Sequence, residues 1–226
     1  VCDEEGRGDE QMNLEKLFNM QRELDAKIIK EKGLEDMDRL PYLILALQVE
    51  LGECANEWRG FKYWSSDREP RTSKHTLKKE YKHLHITQTG AYEYQLRDEF
   101  GKVVFDDVTD HHHDHTNPLL EEYVDCLHFI LSIGVQEGYD EEDDLGFINT
   151  HNILVFKNFE GVTHQFKDVF KYIAQFDDYH GDCEIYQEMF MSFVSLGEML
   201  GFTWEQIEQA YMSKNAVNHQ RQVNGY

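Results

Sequence analysis

Residues Leu119–Gln136 read LLEEYVDCLHFILSIGVQ, a stretch apolar on nearly every side of a helix that nevertheless carries Glu122 and Asp125 one turn apart. That pattern describes a helix buried within a bundle, not one lying on a surface. An ionised carboxylate flanked by Leu120, Leu127, Phe129, Ile130 and Leu131 is expensive to desolvate alone, so both acids need a partner. A second helix answers the first. Pro41 suits a first turn, and the run from there to about Arg59 sets Glu50, Glu53 and Glu57 within an arc of about 60°, directly beside the apolar arc of Leu43, Leu47, Leu51 and Cys54.

Taken alone, E-x-x-E and E-x-x-D are ordinary solvated helix faces. On two apolar helices they become a four-carboxylate cage in a bundle core. The chain offers little cationic charge nearby, so a divalent ion is the economical partner. Oxygen ligands favour Mg²⁺, with Mn²⁺ as a substitute, completing the shell with water and substrate phosphates. Di-iron carboxylate sites require E-x-x-H, whereas Asp125 follows Glu122 and Asn56 follows Glu53 at that spacing.

Around these helices the remaining periodicity is also helical. Leu14, Leu17, Phe18, Leu24 and Ile28 mark a first helix over Asn13–Glu31 that Gly33 ends. Further helices are expected over Gly161–Gln175, Asp182–Leu200 and Thr203 to about Gln222, the last opened by a Thr203/Gln206 capping box. One stretch departs from this. HLHITQTGAYEYQLRDEFGKVVFDDV, His83–Val108, is rich in β-branched and aromatic residues and divided by Gly90 and Gly101, which predicts a small antiparallel hairpin or three-stranded insert. The expected architecture is an all-α bundle formed by residues 12–64 and 119–226, a β-rich insert over 65–118 between the two acidic helices, and a flexible acidic tail over 1–11. His111, His112, His113 and His115 among Asp106, Asp107, Asp110 and Asp114 read as a solvated loop, since consecutive residues cannot all converge on one ion.

Composition bounds the function. With 40% hydrophobic and 13% aromatic residues, 226 residues bury a sizeable core. Against 44 Asp and Glu stand 22 Lys and Arg, and a net charge of −22 repels nucleic acid duplexes and anionic membranes. A small anionic substrate stays compatible if metal ions and a local basic face offset that repulsion. Cys2, Cys54, Cys126 and Cys183 form no C-x-x-C pair, and the longest apolar run, Tyr42–Leu47, is too short to cross a bilayer, so a cytoplasmic protein is expected. The basic face occurs on the last helix, where Lys214, Asn218 and Arg221 share an arc of about 60° with Tyr211, Asn215 and Gln222 alongside. Lys and Arg suit phosphate oxygens and the amides suit a base or sugar, although cations near a helix carboxyl end are also favourable in their own right.

Three blocks in order, Glu50-Leu-Gly-Glu53 through Phe61-Lys62-Tyr63-Trp64, then Glu122-Tyr-Val-Asp125-Cys-Leu-His128-Phe129, then Tyr211 through Lys214, Asn215, Asn218, Arg221 and Gln222 to Gly225-Tyr226, resemble the dimeric dUTPase family. A weaker block, Met20-Gln21-Arg-Glu-Leu-Asp25, is similar to that family's first helix, and the resemblance fails over roughly Ser65–Pro118. It implies an all-α fold shared with MazG-type pyrophosphohydrolases, a homodimer, and hydrolysis of dUTP, with dUDP as a further substrate, to dUMP. It also implies magnesium held by Glu50, Glu53, Glu122 and Asp125, phosphates held by Lys62, Lys214, Asn218, Arg221 and Tyr226, and a uracil pocket drawn from Gln21, Trp64 and Asn215. Glu53 is the expected base for the attacking water. A dCTP or broad deoxynucleotide pyrophosphatase shares this chemistry, because Gln21 and Asn215 can present donor or acceptor to a pyrimidine edge. A different class of reading makes the 65–118 insert, with Tyr81, Tyr92, Tyr94, Phe100 and Phe105, the docking surface for a regulatory protein. Dimerisation is expected from apolar surface on Ile153–Tyr172 and Phe190–Phe202.

Overall fold

In the computed structural model the described residues are 13–91, 93–140, 155–179 and 181–225; the 1–11 tail, Tyr92, Ile153 and Tyr226 lie outside them. The described chain is mainly α-helical and divides into two compact units, Arg71–Pro118 and the remainder, so residues 65–70 belong with the helices. The helical unit holds α1 (Leu14–Lys32), α2 (Leu40–Trp58), α3 (Pro118–Glu137), α4 (Val162–Asp178), α5 (Cys183–Met199) and α6 (Trp204–Val223). Among the described residues no helix is long and apolar enough to cross a membrane.

Local chemistry sets the helix ends. The Asn13 side chain accepts from Lys16 N, and Gly33, at φ 64°, closes α1 in the left-handed conformation that costs glycine least. Pro41 occupies the first turn of α2, while Arg59 ends it at φ 64°. Arg59 is held there by its guanidinium, which donates to Asp67 O at 2.8 and 3.0 Å and pairs with the Asp67 carboxylate at 2.9 Å. Asp182 caps α5 and the Thr203/Gln206 capping box opens α6.

The core draws on all six helices and includes Tyr123, Leu127, Ile130 and Leu131 of α3 and Tyr186, Met189, Phe190 and Phe193 of α5, a buried aliphatic or Phe side chain contributing about 1.5–3 kcal/mol. Contact is close enough to demand glycine at two points. A Cβ on Gly134 would collide with the Tyr186 hydroxyl, which donates to Ile130 O, and one on Gly197 with the Tyr123 ring. Phe190, Met191, Phe193, Val194 and Leu196 are all consumed in this core. The apolar surface expected on Phe190–Phe202 to serve a second subunit is therefore buried within the chain. In the described part of the other expected segment, Val155 and Phe159 are 69% and 96% exposed, and α2 carries a further apolar stripe in which Tyr42, Leu45 and Val49 share one face and are 64%, 60% and 50% exposed.

The Arg71–Pro118 unit contains two small sheets. Strands β2 (His85–Gln88), β3 (Tyr94–Arg97) and β4 (Val103–Phe105) form an antiparallel meander, with Ile86 opposite Leu96 and Leu96 opposite Phe105. Gly101 turns the chain at φ 79° between β3 and β4, where Asp98 accepts from Phe100 N and Lys102 N. The second sheet pairs β1 (Lys74–Leu77) with β5 (His113–Thr116), so the histidine-rich run is not a solvated loop but a 3-10 turn over Asp110–His112 followed by a strand. Its turn is stabilised by packing, because Tyr81, Phe105 and the His112 ring meet at centroid distances of 4.8–5.4 Å. Of the described aromatics of this unit, Tyr81 and Phe105 are partly covered, while Tyr94 and Phe100 are 39% and 87% exposed.

Candidate active site

Helices α2 and α3 bring Glu50, Glu122 and Asp125 together, with carboxylate oxygens within 4.8 Å of one another. Three negative charges at that separation repel strongly where burial has thinned the solvent. Glu122 is pushed up to about 7 by desolvation first and then by the charges of Asp125, Glu53 and Glu50. Glu50 is raised by the same causes in the same order of kind, and shares a hydrogen bond with Glu122. Lys214, reaching across from α6, sets its ammonium 2.5 Å from Asp125 Oδ2 and offsets part of the excess. Glu53 is exposed and stands outside the group of three, near enough for its charge to raise both Glu50 and Glu122. Glu57, one turn further, acts in the same way on Cys54. Hard carboxylate oxygens on two separate helices, incompletely neutralised and half-buried, suit a divalent cation bound by oxygen.

One face of α3 continues from this cluster through His128 to Ser132, about 10 Å of helix rise beyond Asp125. There a buried network centres on Gln21 of α1. Its amide nitrogen donates to Asp25 Oδ1 at 2.9 Å and to Ser132 Oγ at 2.8 Å. Its carbonyl oxygen accepts from the Tyr211 hydroxyl at 2.7 Å and from His128 Nδ1 at 2.7 Å. Every hydrogen-bonding position of the Gln21 amide is occupied from within the protein, so Gln21 holds its neighbours and has no free position for a base. The atoms left without a partner are Asp25 Oδ2, His128 Nε2 and the Asn215 amide nitrogen. Asn215, 4% exposed, faces the Tyr211 hydroxyl at a geometry short of a hydrogen bond. Burial, then the Lys214 charge, drives His128 down to about 3, so its ring is neutral, with Nδ1–H donating to Gln21 and Nε2 presenting a lone pair. Burial likewise raises the Asp25 carboxyl.

Gln21, Asp25, His128 and Ser132, but not Asn215 or Tyr211, wall a cavity of about 540 Å³ whose lining also includes Phe129, Arg39, Tyr42, Asn218, Arg221 and Gln222. Arg221 and Asn218 thus share the cavity, joined by a 3.4 Å contact along α6, while Lys214 faces the acids. Three expected base and phosphate residues, Asn215, Trp64 and Lys62, do not join them. Trp64 is 66% exposed and stacks edge-on against Phe61 and Tyr63, and Lys62 lies over the Phe61 ring, because the turn after α2 folds back upon itself. His128, Asp25 and Ser132 were not singled out as site residues on sequence grounds. The signal present was a histidine within the otherwise apolar run Cys126–Leu131 at His128, and an i,i+4 pair at Gln21 and Asp25.

A dUTPase family model matches residues 13–112 and 108–226, which together span nearly the whole chain. The chain belongs to the dUTPase family. It is a dUTP diphosphatase, a hydrolase acting on acid anhydrides. No curated protein is similar enough to match it. Both halves of the enzyme's acid cluster lie within the matched residues, as do Gln21, Asn218 and Arg221.

Proposed function

We propose that the enzyme binds dUTP with its uracil in the cavity beside His128, its phosphates between α6 and the acid cluster, and Mg²⁺ on Glu50, Glu122 and Asp125 with Glu53 at the margin. The carrying observation is that convergent carboxylates from α2 and α3 stand one short length of α3 away from a cavity walled by Gln21, His128 and Arg221. A bound divalent cation there neutralises phosphate charge and favours deprotonation of the attacking water. Glu53, exposed and outside the group of three, accepts that proton at a carboxylate oxygen. Lys214, relieved of Asp125 when the cluster's charge is otherwise met, turns to phosphate oxygens with Arg221 and Asn218. Tyr226 joins the phosphate group by the same resemblance, and Mn²⁺ substitutes for Mg²⁺.

Uracil is favoured over cytosine because His128 Nε2, buried and without a partner within the chain, is left as an acceptor for the base once the side chains covering it give way. The N3–H of uracil donates to such an atom, whereas N3 of cytosine would oppose a lone pair to a lone pair. The enzyme works as a homodimer through the Tyr42, Leu45 and Val49 stripe, which borders the cavity at Tyr42. Initial rates on dUTP, dCTP, dTTP and UTP, with Mg²⁺ and after chelation, test these points. We expect dUTP to lead and chelation to abolish turnover. A large preference for dCTP would overturn the base assignment, and unchanged turnover after chelation would overturn the metal assignment.

A further inference from the structure

The Arg71–Pro118 unit carries a second group of potential ligands, independent of the acid cluster and of different chemistry. His75 on β1 and His115 on β5 are directly opposed in the antiparallel ladder, and their rings meet edge-on at a centroid distance of 4.2 Å. Opposed residues hold their Cβ atoms about 4.5–5.5 Å apart by backbone geometry, so the two imidazoles are gathered by the sheet itself. Asp110, in the 3-10 turn that leads into β5, completes the group, with Oδ1 3.9 Å from His115 Nε2. One ligand atom from each of the three lies within 4.8 Å of the others, and all three residues are exposed. Ser73 Oγ lies 3.2 Å from His75 Nε2, a hydroxyl placed to orient that ring.

We propose that His75, His115 and Asp110 form a Zn²⁺ site that clips the first strand of this unit to its last. Two imidazoles and one carboxylate are the nitrogen and oxygen donors of three-ligand zinc sites, with water in the fourth position, and are poorly suited to Mg²⁺. Tetrahedral zinc needs ligand atoms about 3.3 Å apart, a contraction that exposed side chains reach by small rotations. The ladder it would tie has only four residue pairs, and a two-stranded ribbon of that size is marginal by itself. Two neighbouring histidines are otherwise engaged. His112 accepts from Thr109 N and packs on Phe105, and His113 opposes Leu77 with its Nδ1 3.3 Å from Thr109 O. The obstacle that consecutive residues cannot converge is avoided because the second imidazole comes from the opposite strand.

Zinc titration by calorimetry on the full chain, stripped of metal and held in excess Mg²⁺, tests the site. The expected result is one zinc equivalent with micromolar or tighter affinity, weakened on the order of 100-fold by His75→Ala or His115→Ala and unchanged by His113→Ala. The equivalent should persist in the Glu50→Gln/Glu122→Gln variant, which separates it from the acid cluster. Zinc should also slow amide exchange in residues 74–77 and 113–116 of the parent and not of His115→Ala. Loss of the equivalent in the Glu50→Gln/Glu122→Gln variant, or equal weakening by His113→Ala and His115→Ala, would overturn the site. Binding without slowed exchange would overturn the clip.

Discussion

Two regions seven residues apart on α3 are built on opposite electrostatic principles. Around Asp125, three carboxylates crowd within 4.8 Å with one ammonium among them, and Glu122 is held up to about 7. Around Ser132, the Gln21 amide spends all its hydrogen bonds internally and His128 is kept neutral, down to about 3. An incomplete charge balance is useful where cations and phosphates arrive, because binding completes it. A satisfied neutral network is useful where an uncharged base lands, because it fixes the few unpaired atoms in place. The first region should therefore govern rate and metal affinity, and the second stability and base choice.

The largest effect that would sharpen this division is on turnover. Glu53→Gln keeps the shape of the side chain and removes its capacity to accept a proton, so kcat should fall by about 10²–10⁴ while nucleotide affinity changes far less. Near-normal kcat at saturating dUTP and Mg²⁺ would move the base role to Glu50 or Glu57. In the neutral region, Gln21→Leu strips partners from Asp25, Ser132, His128 and Tyr211 together. Urea denaturation should show a loss of about 3 kcal/mol, while Mg²⁺ affinity, read by calorimetry, stays near the parent value. A fall in Mg²⁺ affinity as large as that of Glu122→Ala would show that the two regions are not separable. Arg221→Ala removes a charge-assisted phosphate contact worth about 1.5–3 kcal/mol, and steady-state kinetics should show this mainly as a raised KM.

How much of this was legible in the sequence differs between the same two regions. Glu50, Glu122 and Asp125 were visible because acids at helical spacing on two apolar helices have few bland explanations when taken together, and the stop at Gly33 and the capping box at Thr203 announced helix ends. The Gln21 network was not visible as a network, since its members come from α1, α3 and α6 and nothing local links Gln21 to His128 and Tyr211. In the other unit the β2–β3–β4 meander was legible from its β-branched and aromatic residues. The β1–β5 ladder was not, because KHTL and HDHT carry almost no apolar alternation and are paired only by long-range contact. Phe190–Phe202 misled for a related reason: apolar periodicity reveals a buried face but not whether the covering surface lies in the same chain.

The smallest predicted effect bears most directly on the comparison, since the two regions should respond to acid with opposite sign. Glu122 has a folded value of about 7, above its ordinary 4.5, so its contribution to stability is fully present below 4.5 and is lost as pH rises through 7. His128 has a folded value of about 3, below its ordinary 6.5, so its contribution is present above 6.5 and is lost as pH falls toward 3. In metal-free protein the two partly cancel across the neutral range. Glu122→Gln removes the first and exposes the second: between pH 7.5 and 5.5 this variant should lose about 1.4 kcal/mol in urea denaturation through the imidazole alone. Adding His128→Asn, which retains a donor for Gln21 but does not titrate, should abolish that decline. If the double variant declined as steeply as Glu122→Gln, His128 would titrate alike in the folded and unfolded chain, and the neutral, fixed acceptor on which the preference for uracil rests would be lost with it.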